Sequence, residues 1–96
     1  MEELKNSYQT TQQHTNCDPN NIVSSMSECK NASRKLNRKY VGSTTNENRP
    51  AGCYWTSNEQ TYFNTITDLS STFPENFGNR GGICTNSGTL EDYGHY

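Results

Sequence analysis

Pro50-Ala51-Gly52-Cys53-Tyr54-Trp55-Thr56-Ser57-Asn58-Glu59-Gln60-Thr61-Tyr62-Phe63-Asn64 is the stretch whose reading decides the fold. Pro50 fixes φ, and Gly52 can take the backbone angles that a chain reversal demands. Cys53–Thr56 and Thr61–Asn64 are two runs of aromatic and β-favouring residues, and the polar Ser57–Gln60 lies between them. Two such runs with a short polar connection predict a β-hairpin. In a pleated strand Cys53 and Trp55 share one face, Phe63 sits across from them as a cross-strand partner, and Tyr54 turns to the other side. This hairpin is the expected middle of the core.

Composition bounds what can surround it. The chain has 96 residues, room for a single domain, and only 28% are hydrophobic where about 45–50% is usual with Gly counted. So little apolar surface would ordinarily leave a chain unfolded. Two features argue otherwise: the net charge is only −2, and four cysteines, Cys17, Cys29, Cys53 and Cys84, are spread along the chain. Their spacing contains no Cys-x-x-Cys and no His at ligand distance, which argues against zinc. Two disulfides in an oxidising compartment are expected, each stabilising by about 3–4 kcal/mol through loop closure. The alternative is four reduced thiols in a cytosolic protein.

Met1 to Asn16 carries Leu4 and Tyr8 as its only large apolar side chains, with no run suited to a signal peptide or membrane span. Any leader is expected to lie outside this numbering. Leu4, Asn6, Tyr8 and Thr10 alternate weakly, as a loose terminus or as an arm that pairs with the sheet edge of a neighbouring copy. Cys17-Asp18-Pro19-Asn20-Asn21 is turn chemistry, and Ile22-Val23 a short β-branched pair. Ser25 followed three places on by Glu28 has the capping-box form. Met26, Cys29, Ala32, Ser33 and Leu36 then recur at helical spacing, predicting a helix from about Met26 to Lys39, with Gly42 as its stop. The basic cluster Arg34, Lys35, Arg38 and Lys39 suits a solvated helix end. In a slightly acidic chain it is not a nucleic-acid site.

Asn31-Ala32-Ser33 is a glycosylation sequon, and helix geometry turns Asn31 away from Cys29 towards water. Ser43–Arg49 reads as a loop. From Thr65 to Gly82 a long loop is expected to fold Ile66, Leu69, Phe73 and Phe77 over one sheet edge, before a short strand at Ile83-Cys84. The tail 86–96 ends the chain with Tyr93 and Tyr96.

Catalytic chemistry is not apparent. His14 and His95 lack a carboxylate and nucleophile at recognisable spacing, no Gly-rich phosphate loop has the right context, and Asp18 with Asn20 falls far short of a calcium loop. No enzyme activity, cofactor or metal is expected. The aromatic residues offer a different chemistry. Tyr54, Trp55, Tyr62 or Tyr40 could stack on sugar rings, although Trp55 and Phe63 also suit a core.

With all four cysteines placed, the segments Cys29-Lys30-Asn31-Ala32-Ser33-Arg34-Lys35-Leu36, Pro50-Ala51-Gly52-Cys53-Tyr54, Tyr62-Phe63-Asn64 and Ile83-Cys84 resemble a small Cys-rich module of extracellular algal and protist surface proteins. Its pattern is a Cys-x-x-Ala-Ala helix, Pro-x-Gly-Cys-Tyr, Tyr-Phe-Asn and a closing Ile-Cys, with Ser33 standing here in place of the second Ala. The resemblance spans about residues 17–85 and carries no activity with it. It implies a secreted or surface location and the pairs Cys29–Cys53 and Cys17–Cys84. The expected architecture is α+β: one helix packed on a short antiparallel sheet, a disulfide-stabilised domain over 17–85, an extended N-terminal arm over 1–16 and a C-terminal tail over 86–96. The expected role is a non-enzymatic structural subunit, self-associating through its arms into a fibre or coat. The alternative is a carbohydrate- or surface-binding module using exposed Tyr54, Trp55 and Tyr62.

Overall fold

The computed structural model describes residues 7–85 of the chain. Helix α1, Met26–Lys35, begins where the capping box placed it: the Ser25 Oγ accepts a 3.2 Å hydrogen bond from the Glu28 N–H. Ser25→Ala is therefore expected to lower stability by about 1 kcal/mol, measured by denaturant unfolding. The helix buries Cys29, Ala32 and Ser33. It ends four residues earlier than the predicted Lys39, because Asn37 takes the left-handed conformation at φ 58° and Ser33 Oγ donates to the Arg38 carbonyl at 2.9 Å. Asn tolerates that conformation and closes the helix in the role assigned to Gly42.

Early termination frees Lys39–Thr44 to form strand β2. The other strands are β1 (Tyr8–Thr10), β3 (Gly52–Trp55), β4 (Gln60–Asn64) and β5 (Gly81–Thr85), ordered β1-β5-β3-β4-β2 across one sheet. The central hairpin sets Phe63 opposite Cys53, as expected, and Tyr54 opposite Tyr62, and β4 begins at Gln60, inside the expected polar connection. Its turn is closed by the Thr56 N–H donating to the Gln60 carbonyl at 2.9 Å, with Glu59 at φ 59°. The sheet is mixed rather than antiparallel, since β2 runs parallel to β4. Its register shifts between Tyr40 and Gly42, leaving Val41 as an extra residue that is 43% exposed.

Residues 8–16 are not a free arm. β1 pairs antiparallel with β5, Tyr8 against Thr85 and Thr10 against Ile83. Tyr8 is buried, and its hydroxyl donates to Glu28 Oε2 at 3.3 Å. Thr11 exchanges hydrogen bonds with Gly82, its N–H donating at 2.9 Å and its hydroxyl accepting at 2.8 Å. A Cβ on Gly81 would run into the Gln12 carbonyl and the Thr11 hydroxyl, so the segment lies against bare backbone there. The sequence missed this because edge pairing needs backbone groups more than apolar side chains. Residues 1–6 and the tail 86–96 lie outside the described residues.

Tyr8, Val23, Cys29, Ala32, Cys53, Phe63 and Ile83 form the core between α1 and the sheet, with Leu36, Tyr40 and Trp55 packed at its margin. Cys29–Cys53 joins the helix to β3, and Cys17–Cys84 joins the opening segment to β5. The loop after β4 contains single turns of 3₁₀ helix at Leu69–Ser71 and Pro74–Asn76. Of the four apolar residues expected to fold back from it, Phe77 is fully buried and Ile66 and Leu69 are half-buried. Phe73 is 42% exposed, since the Phe73 N–H is spent on the Glu47 carbonyl and Pro74 turns the chain there.

Candidate functional site

The hairpin register sends Cys53 and Phe63 towards α1 and Tyr54 and Tyr62 to the opposite face. The two tyrosine rings stack with centroids 5.6 Å apart and planes 16° apart. Tyr54 is the inner member. At 2% exposure it offers no ring face to a ligand, which corrects its reading as a residue that could stack on a sugar ring: it points away from the helix but is covered. Burial pushes the Tyr54 hydroxyl pKa up, and a hydrogen bond from Thr44 and the charges of Arg49 and Arg80 work against that rise. Thr44 Oγ1 lies 3.5 Å from the Tyr54 hydroxyl.

Tyr62 is the outer member and half-buried. Its neighbour across the parallel pair is Gly42, and a Cβ built there would meet no atom within 4 Å. The two remaining aromatic candidates are engaged. Trp55 donates from Nε1 to the Thr11 carbonyl at 3.0 Å and has the Arg38 guanidinium 6.0 Å above its ring. Tyr40 carries the Lys30 ammonium 5.6 Å over its ring. Arg38 itself donates to the Thr56 carbonyl at 2.7 Å, and burial lowers its pKa.

Asn31 does not stand free in water, because β1 docks beside the helix. Its Nδ2 donates to the Tyr8 hydroxyl at 3.3 Å and its Oδ1 accepts from Arg34 at 2.9 Å. The Ser33 hydroxyl of the same sequon is buried.

A hollow of about 340 Å³ lies between Pro19, Ile22 and the Thr67–Ser70 turn. Its one carboxylate, Asp68, is exposed and held below the ordinary range by hydrogen bonds from the Ser70 hydroxyl and N–H. That is turn-capping, in which the Ser70 hydroxyl is held by Asp68, and no second acidic or basic side chain lines the hollow. Among the described residues no three His, Cys, Asp or Glu side chains gather where they could hold a metal ion. His14 Nδ1 lies 3.3 Å from the Pro74 carbonyl, and His95 lies outside the described residues. No helix among the described residues is long and apolar enough to cross a membrane.

The arrangement of Tyr62, Gly42 and Thr44 was only partly legible. Tyr62 could be named from its residue type. Gly42 read as a helix stop, and only the β2–β4 register brings it beside the tyrosine. The chain matches no protein-family profile, no curated protein and no solved structure.

Proposed function

We propose that the chain is a non-enzymatic extracellular structural module whose copies associate through the outer edge of β2. One observation carries this reading. Among the described residues β2 is a six-residue strand at the end of the sheet, paired on one side only, and it exposes the apolar Val41 at its bulge. An exposed edge strand is a ready template for another strand. Antiparallel pairing of two β2 strands about Val41 sets Lys39 opposite Ser43 of the second copy, so that no like charges face each other. Two disulfides are compatible with an oxidising, extracellular setting, as is the sequence resemblance. Growth beyond a pair into a fibre or coat requires a second contact, and in this reading the terminal segments supply it.

Size-exclusion chromatography with light scattering, followed by negative-stain microscopy, tests the reading. The native protein is expected to associate increasingly with concentration. Val41→Lys is expected to remain monomeric with both disulfides and an unchanged circular dichroism spectrum. A native chain that stays monomeric throughout, or a lysine variant that assembles equally well, rejects it. Deleting residues 1–16 is not an equivalent test, because it removes β1 and Tyr8 from the fold.

A further inference from the structure

The hollow of about 340 Å³ between Pro19, Ile22 and the Thr67–Ser70 turn has walls that are tied to each other. Asn16 Nδ2 donates to the Thr72 hydroxyl at 2.9 Å, and that hydroxyl donates to the Leu69 carbonyl at 2.9 Å. Ile22 bridges to Cys84, which the disulfide joins to Cys17. Pro19, Ile22 and Leu69 give the hollow an apolar wall, and Asp68 sets a carboxylate at its rim. The Asp68 oxygens accept from the Ser70 N–H and hydroxyl and from the Ser71 hydroxyl, and among the described residues no cation pairs with them. Asp18, next to Pro19 in the chain, is exposed and does not cap the turn that follows it.

The complementary surface lies on α1. Lys30, Arg34 and Lys35 are all exposed there. Lys30 and Arg34 stand four residues apart, a like-charged spacing that destabilises an isolated helix. Lys30 lies over the Tyr40 ring and Arg34 donates to Asn31. Lys35 has no hydrogen-bond or ion-pair partner among the described residues.

We infer that the hollow receives Lys35 of a second copy, its aliphatic stem against Pro19, Ile22 and Leu69 and its ammonium at Asp68. A lysine side chain is a long apolar stem with a charge at its tip, and the hollow is an apolar wall with a carboxylate at its rim. Asp18 adds a second negative charge beside Pro19 for the same basic helix. The tied walls leave little to be ordered on contact. Because the hollow and α1 are different surfaces, the contact is heterologous, and its repetition builds rings or filaments instead of a closed pair. It goes beyond the β2 edge and does not depend on it. Alone it is weak, an exposed ion pair with a sheltered stem, too weak to survive chromatography without the edge contact.

The test uses full-length chains that all carry Val41→Lys, so that the β2 edge takes no part. An isotope-labelled chain that also carries Lys35→Glu keeps its hollow and loses its own inserting side chain. Its amide resonances are followed by nuclear magnetic resonance as an unlabelled partner is added. A partner with Lys35 is expected to shift the amides of Ile22 and of residues 67–70, and to do so less as salt rises. A partner with Lys35→Glu is expected to need about tenfold higher concentration or more for the same shifts. Circular dichroism of each variant checks the fold. Absence of shifts at the hollow, undiminished shifts with the Lys35→Glu partner, or the same shifts from n-butylamine at equal concentration would each overturn the inference. Edge association is read separately on chains with Val41 intact, so the failure of one contact is distinguishable from failure of the other.

Discussion

Replacing each bonded cysteine pair by alanine is expected to abolish cooperative folding when both pairs are removed. Cys17–Cys84 is separated by 67 residues and Cys29–Cys53 by 24. In the chain-entropy account these closures stabilise by about 4.4 and 3.5 kcal/mol respectively. Together they make up much of the roughly 5–15 kcal/mol that holds a typical domain, in a chain that is only 28% hydrophobic. Losing Cys17–Cys84 alone should be the more damaging single change, because it also frees the opening segment from β5. Alanine pairs are preferable to alkylation, since a group added at the fully buried Cys29 or Cys53 would itself crowd the core. Urea unfolding followed by near-ultraviolet circular dichroism measures each loss. A four-alanine variant that still unfolds in one sharp transition would show that the core suffices without crosslinks.

Asn64→Leu is expected to cost about 3–5 kcal/mol, because several backbone groups lose their partner at once. Asn64 is fully buried at the end of β4. Its Nδ2 donates to the carbonyls of Asn46 at 2.7 Å, Pro50 at 3.0 Å and Arg49 at 3.3 Å. Its Oδ1 accepts from the N–H groups of Asn46 at 3.2 Å and Ile66 at 3.1 Å. One side chain thus fixes the loop that joins β2 to β3 and the exit from β4. Leucine matches the volume and satisfies none of these groups. Asn64→Asp should behave differently with pH. Burial beside three carbonyls raises the carboxyl pKa in the folded state, so this variant should be most stable in acid and lose stability as pH rises through the ordinary carboxylate range and above.

How far the fold was readable differs from element to element. The Pro50–Asn64 hairpin was legible as a hairpin with Phe63 across from Cys53, because alternation of large apolar residues across a short polar turn directs them to one face; that Gln60 belongs to β4 was not. The start of α1 was legible from Ser25 and Glu28. Its end was not: Arg38 and Lys39 read as a basic last turn and Gly42 as the stop, and the strand propensity of Tyr40, Val41 and Thr44 became decisive only once β4 was present to pair with. Of the arm expected over 1–16, the part from Tyr8 onward was misread for a related reason. Polar residues such as Gln9, Thr11 and Gln12 advertise no burial, yet their backbone settles on a glycine-lined strand. Asn64 gave no local signal at all, since its five partners come from two separate loops.

The amino-acid sequence alone determined the central hairpin, the helix cap and the expectation of crosslinks, because these follow from side-chain period, one hydrogen bond near in sequence, and a deficit of apolar surface. The tertiary structure alone decided that β2 runs parallel at an open edge, that Tyr54 is covered while Tyr62 is half-open beside Gly42, and that residues 8–16 complete their own sheet. Each of those depends on groups distant along the chain competing for the same backbone partners, and that competition is resolved only when the strands meet.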